Sequence, residues 1–220
     1  MSYSYRASAS EHAYEPAPIR AELIVRPDLL RVSFSASLET QGVEQSLPLL
    51  QRACEQFQRR VRDALGTEVT FRPKDARFNR SAPRKLALPE DDGTFVAVDG
   101  TFEVPLPPEP DFWARSSRVG TLARACHEAQ ADSRQSKKLP RFSFGSVEAL
   151  VAQPESHRAE LLRRVVTRVR ELATTVGSAE APLHVVDCSA PGLVEQSPVS
   201  LEEVGLTLNV YCRLGVLKER

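Results

Sequence analysis

The chain has 220 residues, which is long for one domain and short for two, and its 29 Lys and Arg residues balance 29 Asp and Glu residues. A formal net charge of zero provides no global field that would attract nucleic acid or an anionic membrane. Apolar residues make up 41% and charged residues 26% of the sequence, which is ordinary for a globular protein and indicates a hydrophobic core.

Residues 1–17 are polar and rich in Ser and Ala, and this composition predicts a disordered tail. The tail contains Glu11 and Glu15 and lacks the apolar segment of a secretory signal, and no window of the chain approaches 18 apolar residues. We therefore expect a cytoplasmic protein without a transmembrane segment. An exported protein whose signal has been removed would have the same sequence, so that alternative stays open.

The first ordered residues alternate between apolar and polar side chains, which predicts a strand over residues 19–26. Pro27 and Asp28 break this strand, and a second alternating run over residues 30–39 predicts another. We expect the two strands to pair as a hairpin with one face buried and the other toward water.

The apolar spacing then lengthens to that of an amphipathic helix of about six turns. The residues of its apolar face are Val43, Leu47, Leu50, Cys54, Phe57, Val61 and Leu65. Pro48 is tolerated only in a first turn, so the helix should begin near Ser46, and Gly66 should end it.

A second hairpin is predicted over residues 71–104, with an irregular, charged tip and an interruption of its second strand at Gly100. Asp91, Asp92 and Gly93 would form a turn within it.

Basic side chains cluster in this hairpin, interleaved with Phe71 and Phe78. The candidate anion- or partner-binding residues are Arg72, Lys74, Arg77, Arg80, Arg84 and Lys85. Basic and aromatic side chains on a hairpin tip would grip single-stranded nucleic acid or a phosphorylated partner. The alternative is a solvated tip that is balanced by Glu90, Asp91 and Asp92.

A Pro-rich connector, PLPPEP, occupies residues 105–110 and would be either a domain boundary or a tight crossover. Asp111 should cap a second helix that extends to about Ala131, and residues 132–140 should form a loop. The residues predicted to face inward from this helix are Phe112, Val119, Leu122, Ala123 and Cys126.

The remaining sequence predicts a short strand at 142–150, a helix at 154–176, a strand at 183–188 and one long strand at 204–216. The apolar stripe of the helix comprises Leu161, Leu162, Val165, Val166, Val169, Leu172, Ala173 and Val176. Strands thus come in pairs between helices, which favours an α+β fold, with about three helices packed on an antiparallel or mixed sheet. We predict a single domain over residues 18–220.

This layout resembles the SIMPL-domain family over roughly residues 19–216. The resemblance rests on "VRPDLLRVSFSASLETQG" at 25–42, "QSLPLLQRACEQFQRRVRDALG" at 45–66, "HRAELLRRVVTRVRELATTVG" at 157–177 and the terminal alternating strand. It implies an α+β fold, a tendency to oligomerise and no established enzymatic chemistry. The family has no catalytic motif, so no residue of this chain inherits a role from it.

The four cysteines lie far apart, without a CxxC pair or a Cys/His cluster at zinc spacing. Cys54 and Cys126 fall in helical apolar stripes, where a free Cys behaves as a small hydrophobe. We therefore expect free thiols rather than two disulfides, the other pairing state that an even number of cysteines allows.

No catalytic constellation is recognisable. His184 and Cys188 would share one strand face, which suggests a thiol with an imidazole base, but no third orienting group accompanies them and a covered sheet face is the preferred interpretation. Gly145-Ser146 lacks the G-x-S-x-G pattern and predicts a turn. P-loop, G-x-G-x-x-G and H-E-x-x-H motifs are absent. We predict no catalytic residues, no cofactor, no metal and no enzymatic activity.

Trp113 and the arginine face of the 154–176 helix suggest contacts with other proteins. Trp113 follows the Pro-rich connector and is predicted to anchor either the core or an interface. The candidate interface residues are Trp113, Arg163, Arg164 and Arg168. The sequence thus predicts a non-enzymatic, self-associating SIMPL-like scaffold or binding protein, a homo-oligomer with a protein partner. The alternative is a nucleic-acid or anionic-ligand binding module that uses segment 72–85, which the zero net charge disfavours.

Overall fold

The structure, a computed structural model, describes residues 18–40, 43–80, 94–107, 111–134, 139–177 and 183–216. Within these ranges the chain forms three α-helices, one short 3-10 helix and nine strands, which confirms the predicted α+β class. The helices are α1 (Val43–Leu65), α2 (Phe112–Arg134) and α3 (Arg158–Val176), which the 3-10 helix Pro154–His157 precedes. The strands are β1 (Ile19–Val25), β2 (Leu29–Thr40), β3 (Thr70–Arg80), β4 (Thr94–Pro105), β5 (Arg141–Leu150), β6 (Leu183–Cys188), β7 (Glu195–Pro198), β8 (Val204–Val210) and β9 (Cys212–Val216).

The described residues divide into two compact units. Unit 1 comprises the described residues within 18–23, 155–195 and 207–216, and unit 2 comprises those within 24–154 and 196–206. Three sheets have the strand orders β3-β4-β2-β5, β1-β8-β7 and β6-β9. The single domain expected over residues 18–220 stays a prediction, and the predicted tail at 1–17 lies outside the described residues.

Strand β2 lies inside the four-stranded sheet of unit 2 and pairs antiparallel with β4 and β5. Its alternating apolar side chains are buried as expected, and α1 and α2 pack against the sheet. The predicted hairpin with the preceding strand is wrong, because β1 neighbours β8 instead. Alternation indicates that one face of a strand is buried, but it does not identify the strand's partner.

Helix α1 begins at Val43, three residues before the expected start, so Pro48 lies within it rather than in its first turn. Only the hydrogen bond from residue 48 to the carbonyl four residues earlier is lost, because proline has no amide proton. The helix ends as predicted at Gly66, whose φ of 62° favours glycine and whose N–H donates to the Arg62 carbonyl at 2.8 Å. Ser46 is buried, whereas Leu47 is exposed.

The second predicted hairpin is confirmed by the antiparallel pairing of β3 with β4. The interruption expected at Gly100 is wrong: β4 continues through it, and the irregularity lies opposite, where β3 bulges between Pro73 and Asp75. A Cβ on Gly100 would lie 2.5 Å from the Arg72 carbonyl oxygen and 2.8 Å from the Phe34 ring. Glycine therefore leaves the space that the Phe34 ring occupies.

Helix α2 is capped as predicted, since Asp111 Oδ1 accepts a hydrogen bond from the Ala114 N–H at 2.8 Å. It continues to Arg134, so the loop expected at 132–140 begins later. The inward-facing set is wrong in part: Phe112 and Ala123 are exposed, whereas an unexpected arginine, Arg115, is buried.

The C-terminal strand expected to run unbroken over 204–216 divides at Tyr211 into β8 and β9. The Tyr211 carbonyl accepts from the Ser189 N–H at 2.7 Å, and its own N–H donates to Ser189 Oγ at 3.1 Å. Strand β9 pairs antiparallel with β6, and a disulfide joins Cys188 to Cys212. The expectation that the cysteines are free is therefore wrong for this pair.

Candidate interaction surfaces and a candidate binding cleft

The basic segment of the second hairpin is already engaged in ion pairs. Strand β3 carries Arg72, Lys74, Arg77 and Arg80, whereas Arg84 and Lys85 lie outside the described residues. Arg72 Nε lies 2.7 Å from Glu103 Oε2, and Arg77 Nη2 lies 2.7 Å from Asp99 Oδ2. Both acidic residues belong to β4, so two positive charges of this segment are balanced within the sheet.

Glu103 also accepts from a second arginine. Arg31 on β2 places Nη2 2.9 Å from Glu103 Oε1, so one nearly buried carboxylate joins β2, β4 and β3. A carboxylate that is partly removed from water is stabilised by such hydrogen-bonded cations. Arg31 and Arg72 thus contribute to the structure of the sheet.

The arginines of α3 contact β1 within unit 1. Arg164 Nη1 donates to the Glu22 carbonyl at 2.7 Å, and Arg168 Nη1 donates to the Arg20 carbonyl. Four residues of helix rise about 6 Å and two residues of strand about 6.6 Å, so the donors match successive carbonyls on one edge of β1. Arg163, by contrast, pairs with Glu160 one turn away on the same helix, at 2.5 Å, and is largely exposed.

Trp113 is not a core residue, because 77% of its surface is exposed. Phe112, its neighbour in the first turn of α2, is 50% exposed, and the two rings meet edge to face with their centroids 5.3 Å apart. Of the two roles predicted for Trp113, that of a core anchor is wrong, and that of an interface anchor stays a prediction.

Arg115 is a buried residue that the sequence analysis missed. Its Nη2 donates to the carbonyls of Pro27 at 2.8 Å and Leu201 at 3.0 Å, and its Nη1 donates to the Pro107 carbonyl. Its Nε lies 3.0 Å from Glu202 Oε1, without the alignment of a hydrogen bond. Burial lowers the pKa of Arg115, and the nearby Glu202 charge partly offsets this effect.

A signal for this buried position exists in the sequence. The helix face that includes Val119 and Leu122 recurs at alternating intervals of four and three residues. Its members are Arg115, Val119, Leu122, Cys126, Ala129 and Ser133. Helical periodicity therefore places residue 115 on the inward face whatever its polarity.

A cleft of about 480 Å³ lies in unit 2 beside β5. Two runs of consecutive residues line it, 146–149 in β5 and 198–201 at the end of β7 and just after it; Leu30, Ser116 and Val119 complete the lining. Its walls thus combine apolar side chains with three serine hydroxyls and a single charged residue, Glu148.

The cleft begins at a β-bulge between β5 and β2. The turn predicted at Gly145-Ser146 is wrong. Strand β5 continues through these residues, and its register with β2 shifts between Val32 and Phe34. A Cβ on Gly145 would collide with the Ser33 hydroxyl. Glycine therefore permits the close approach of the two strands at the bulge.

The structure gives no support to the thiol–imidazole alternative, since Cys188 is bonded to Cys212 and has no free thiol. Burial raises the pKa of Cys54 and of Cys126 to about 12, so neither is an activated nucleophile. Among the residues that the structure describes, no three His, Cys, Asp or Glu side chains are grouped so that they would hold a metal ion. None of the described helices is long and apolar enough to cross a membrane.

No protein-family model and no curated protein sequence matches this chain. Among solved structures, it is similar to a hydrolase from Listeria innocua, with 11% identity over 90% of this chain and 94% of that one and a TM-score of 0.24. An uncharacterized conserved protein from the same organism gives 12% identity over the same shares of the chains and a TM-score of 0.21. Likenesses this remote carry no argument about function.

Proposed function

We propose that this protein is a non-enzymatic, SIMPL-like scaffold or binding protein that self-associates. The observation that carries the proposal is the exposed aromatic pair of Phe112 and Trp113 in the first turn of α2. Each such ring buries about 150–250 Å² when covered, and aromatic residues are enriched at the centres of protein interfaces. A second copy of the chain that covered the pair would remove this apolar area from water.

The charge balance supports self-association over recognition of a strongly charged partner. With 29 basic and 29 acidic residues, two copies do not repel each other through a large net charge.

The test is the solution mass of the wild type and of Trp113→Ser, measured by light scattering at about 50 μM. We expect an oligomer for the wild type and a shift toward the monomer for the variant. Loss of a central aromatic anchor typically costs about 2 kcal/mol, which corresponds to about 30-fold in Kd.

Phe78→Ser is the matched control, because Phe78 is an aromatic residue of β3 that is also 50% exposed. It should leave the mass unchanged. A wild type that is strictly monomeric, or a Trp113→Ser variant that associates as well as the wild type, would refute the proposal.

A further inference from the structure

Strand β5, which lines the cleft, is an edge strand of its sheet among the described residues. In the order β3-β4-β2-β5, β5 pairs with β2 on one side and ends the sheet on the other. The outer side of an edge strand presents main-chain N–H and C=O groups that another extended chain can pair with. Residues 146–149 of this strand line the cleft together with residues 198–201.

One end of this edge is already paired with an amide. Immediately after β5, the Gln196 side chain accepts from the Val151 N–H at 3.0 Å and donates to the Val151 carbonyl at 3.4 Å. A side-chain amide has the same donor and acceptor as a peptide group. Gln196 thus makes the contacts of a neighbouring strand at residue 151, and the cleft continues the same edge toward residue 146.

The chemistry of the walls selects among extended chains. Val119, Val147 and Val199 offer apolar surface, and Glu148 is the only charged residue of the lining. Its cross-strand neighbour Arg31 directs its guanidinium to Glu103 instead, so Glu148 has no ion pair with another described residue. The cleft therefore combines an apolar interior with a carboxylate that forms no ion pair with a described residue.

We infer that the cleft binds an extended peptide segment in which apolar residues alternate with Lys or Arg, added as a further strand to the β5 edge. Main-chain hydrogen bonds supply affinity in this mode of recognition, and pockets for alternate side chains supply specificity. The apolar side chains enter the cleft, and a basic side chain meets Glu148. This inference goes beyond self-association and does not depend on it.

The test uses two end-blocked peptides, acetyl-Lys-Val-Lys-Val-Lys-amide and acetyl-Glu-Val-Glu-Val-Glu-amide, titrated into the full chain and followed by amide NMR. We expect the lysine peptide to shift the resonances of residues 146–149 and to bind about 10-fold more tightly than the glutamate peptide. Glu148→Lys should reverse this preference, and because Glu148 is exposed its replacement should leave thermal unfolding unchanged.

Glu39→Lys is the control with the same change of charge. Glu39 is also exposed, and it lies eight residues along β2 from Arg31, about 26 Å from the cleft at about 3.3 Å per residue. It should leave the preference for the lysine peptide intact.

Three results would overturn the inference. The first is the absence of shifts at residues 146–149 with millimolar peptide. The second is an equal loss of lysine-peptide binding in Glu148→Lys and Glu39→Lys, since this would indicate only long-range attraction. The third is shifts at residues 146–149 on concentrating the protein alone, which would identify a second copy of this chain as the occupant.

Discussion

Arg115 joins three connecting segments of unit 2 that have little regular structure of their own. Its guanidinium donates to carbonyls of Pro27, Pro107 and Leu201, which precede β2, precede α2 and precede β8. Buried carbonyls that lack a donor each cost about 1–3 kcal/mol. One side chain therefore satisfies three acceptors, of which the Pro27 carbonyl is bound in a buried hydrogen bond and the other two in partly buried ones.

We expect Arg115→Met to lower the free energy of unfolding by about 3 kcal/mol or more, because the carbonyls lose their donors. Arg115→Lys should be nearly as destabilising, since an ammonium group cannot reproduce the planar fork that serves several carbonyls at once. Chemical denaturation would measure both variants. The control is Arg124→Met on the exposed side of the same helix, with a change within about 0.5 kcal/mol; a similar loss there would contradict the assignment.

The two free thiols predict a loss of stability at alkaline pH. Burial, helped at Cys54 by the charge of Glu55, raises the pKa of Cys54 and of Cys126 from 9.0 to about 12. The unfolded chain has ordinary thiols and loses these protons first as the pH rises. Their contribution to stability is therefore full below about pH 9 and is lost as the pH rises toward 12, which denaturation curves at several pH values would detect.

Counting thiols at pH 8 tests the same burial together with the disulfide. A thiol-reactive dye should label no cysteine in the folded protein, two in denaturant and all four after reduction. Four labelled cysteines without a reductant would show that the disulfide is absent.

A disulfide favours oxidising surroundings, whereas the sequence predicts a cytoplasmic protein. The cytoplasmic location stays a prediction.

Strands β6 and β9 form a two-stranded sheet, an arrangement that is marginal without further support. The disulfide between Cys188 and Cys212 supplies it by closing a loop across a sequence separation of 24 residues. In the chain-entropy account, a closure of this length stabilises the folded state by about 3.5 kcal/mol.

We expect the double variant Cys188→Ser, Cys212→Ser to lower the free energy of unfolding by about 3 kcal/mol and to speed amide exchange in β6 and β9. Asp187→Asn is the matched change, because it removes an exposed ion pair between the same strands, from Asp187 to Arg213 at 2.7 Å. It should cost less than about 1 kcal/mol. Equal effects of the two changes would mean that the cross-link contributes no more than the ion pair.

The same strands show what local patterns predict. Alternation located β2 and β8, because a half-buried strand needs a period of two. It missed the division at Tyr211, since the apolar residues keep the same parity on both sides of the break, and it missed β7, whose sequence EQSP has no apolar alternation. Pairing and register depend on contacts distant in sequence, which a local period does not contain.

The candidate sites likewise separate into features that a local sequence pattern predicts and features that depend on the fold. The exposed position of Trp113 and the basic composition of β3 were visible as alternatives in the sequence. The cleft was not, because residues 146–149 and 198–201 are some fifty positions apart and meet only through the fold. Likewise, the sequence alone predicts that Arg72 and Arg77 belong to a free basic segment. The pairing of β3 with β4 brings Glu103 and Asp99 within reach of them.

At the scale of the whole molecule, the two candidate functions of this electrically balanced chain differ in the salt dependence that each predicts. Association through exposed aromatic side chains involves little release of counterions, so the oligomer mass should be the same at about 50 mM and 500 mM salt. Binding of a nucleic acid through six or more phosphate contacts would weaken about 10³-fold or more between about 50 and 200 mM salt.

We therefore expect a single-stranded DNA of 20 nucleotides to bind the wild type weakly, with a shallow dependence on salt. Asp99→Asn should strengthen this binding, because it releases Arg77 from the carboxylate that neutralises it. Fluorescence anisotropy at several salt concentrations measures both proteins. Tight wild-type binding with a steep salt slope would favour the nucleic-acid alternative. It would mean that the chain contacts phosphates even though Arg72 and Arg77 are paired with carboxylates.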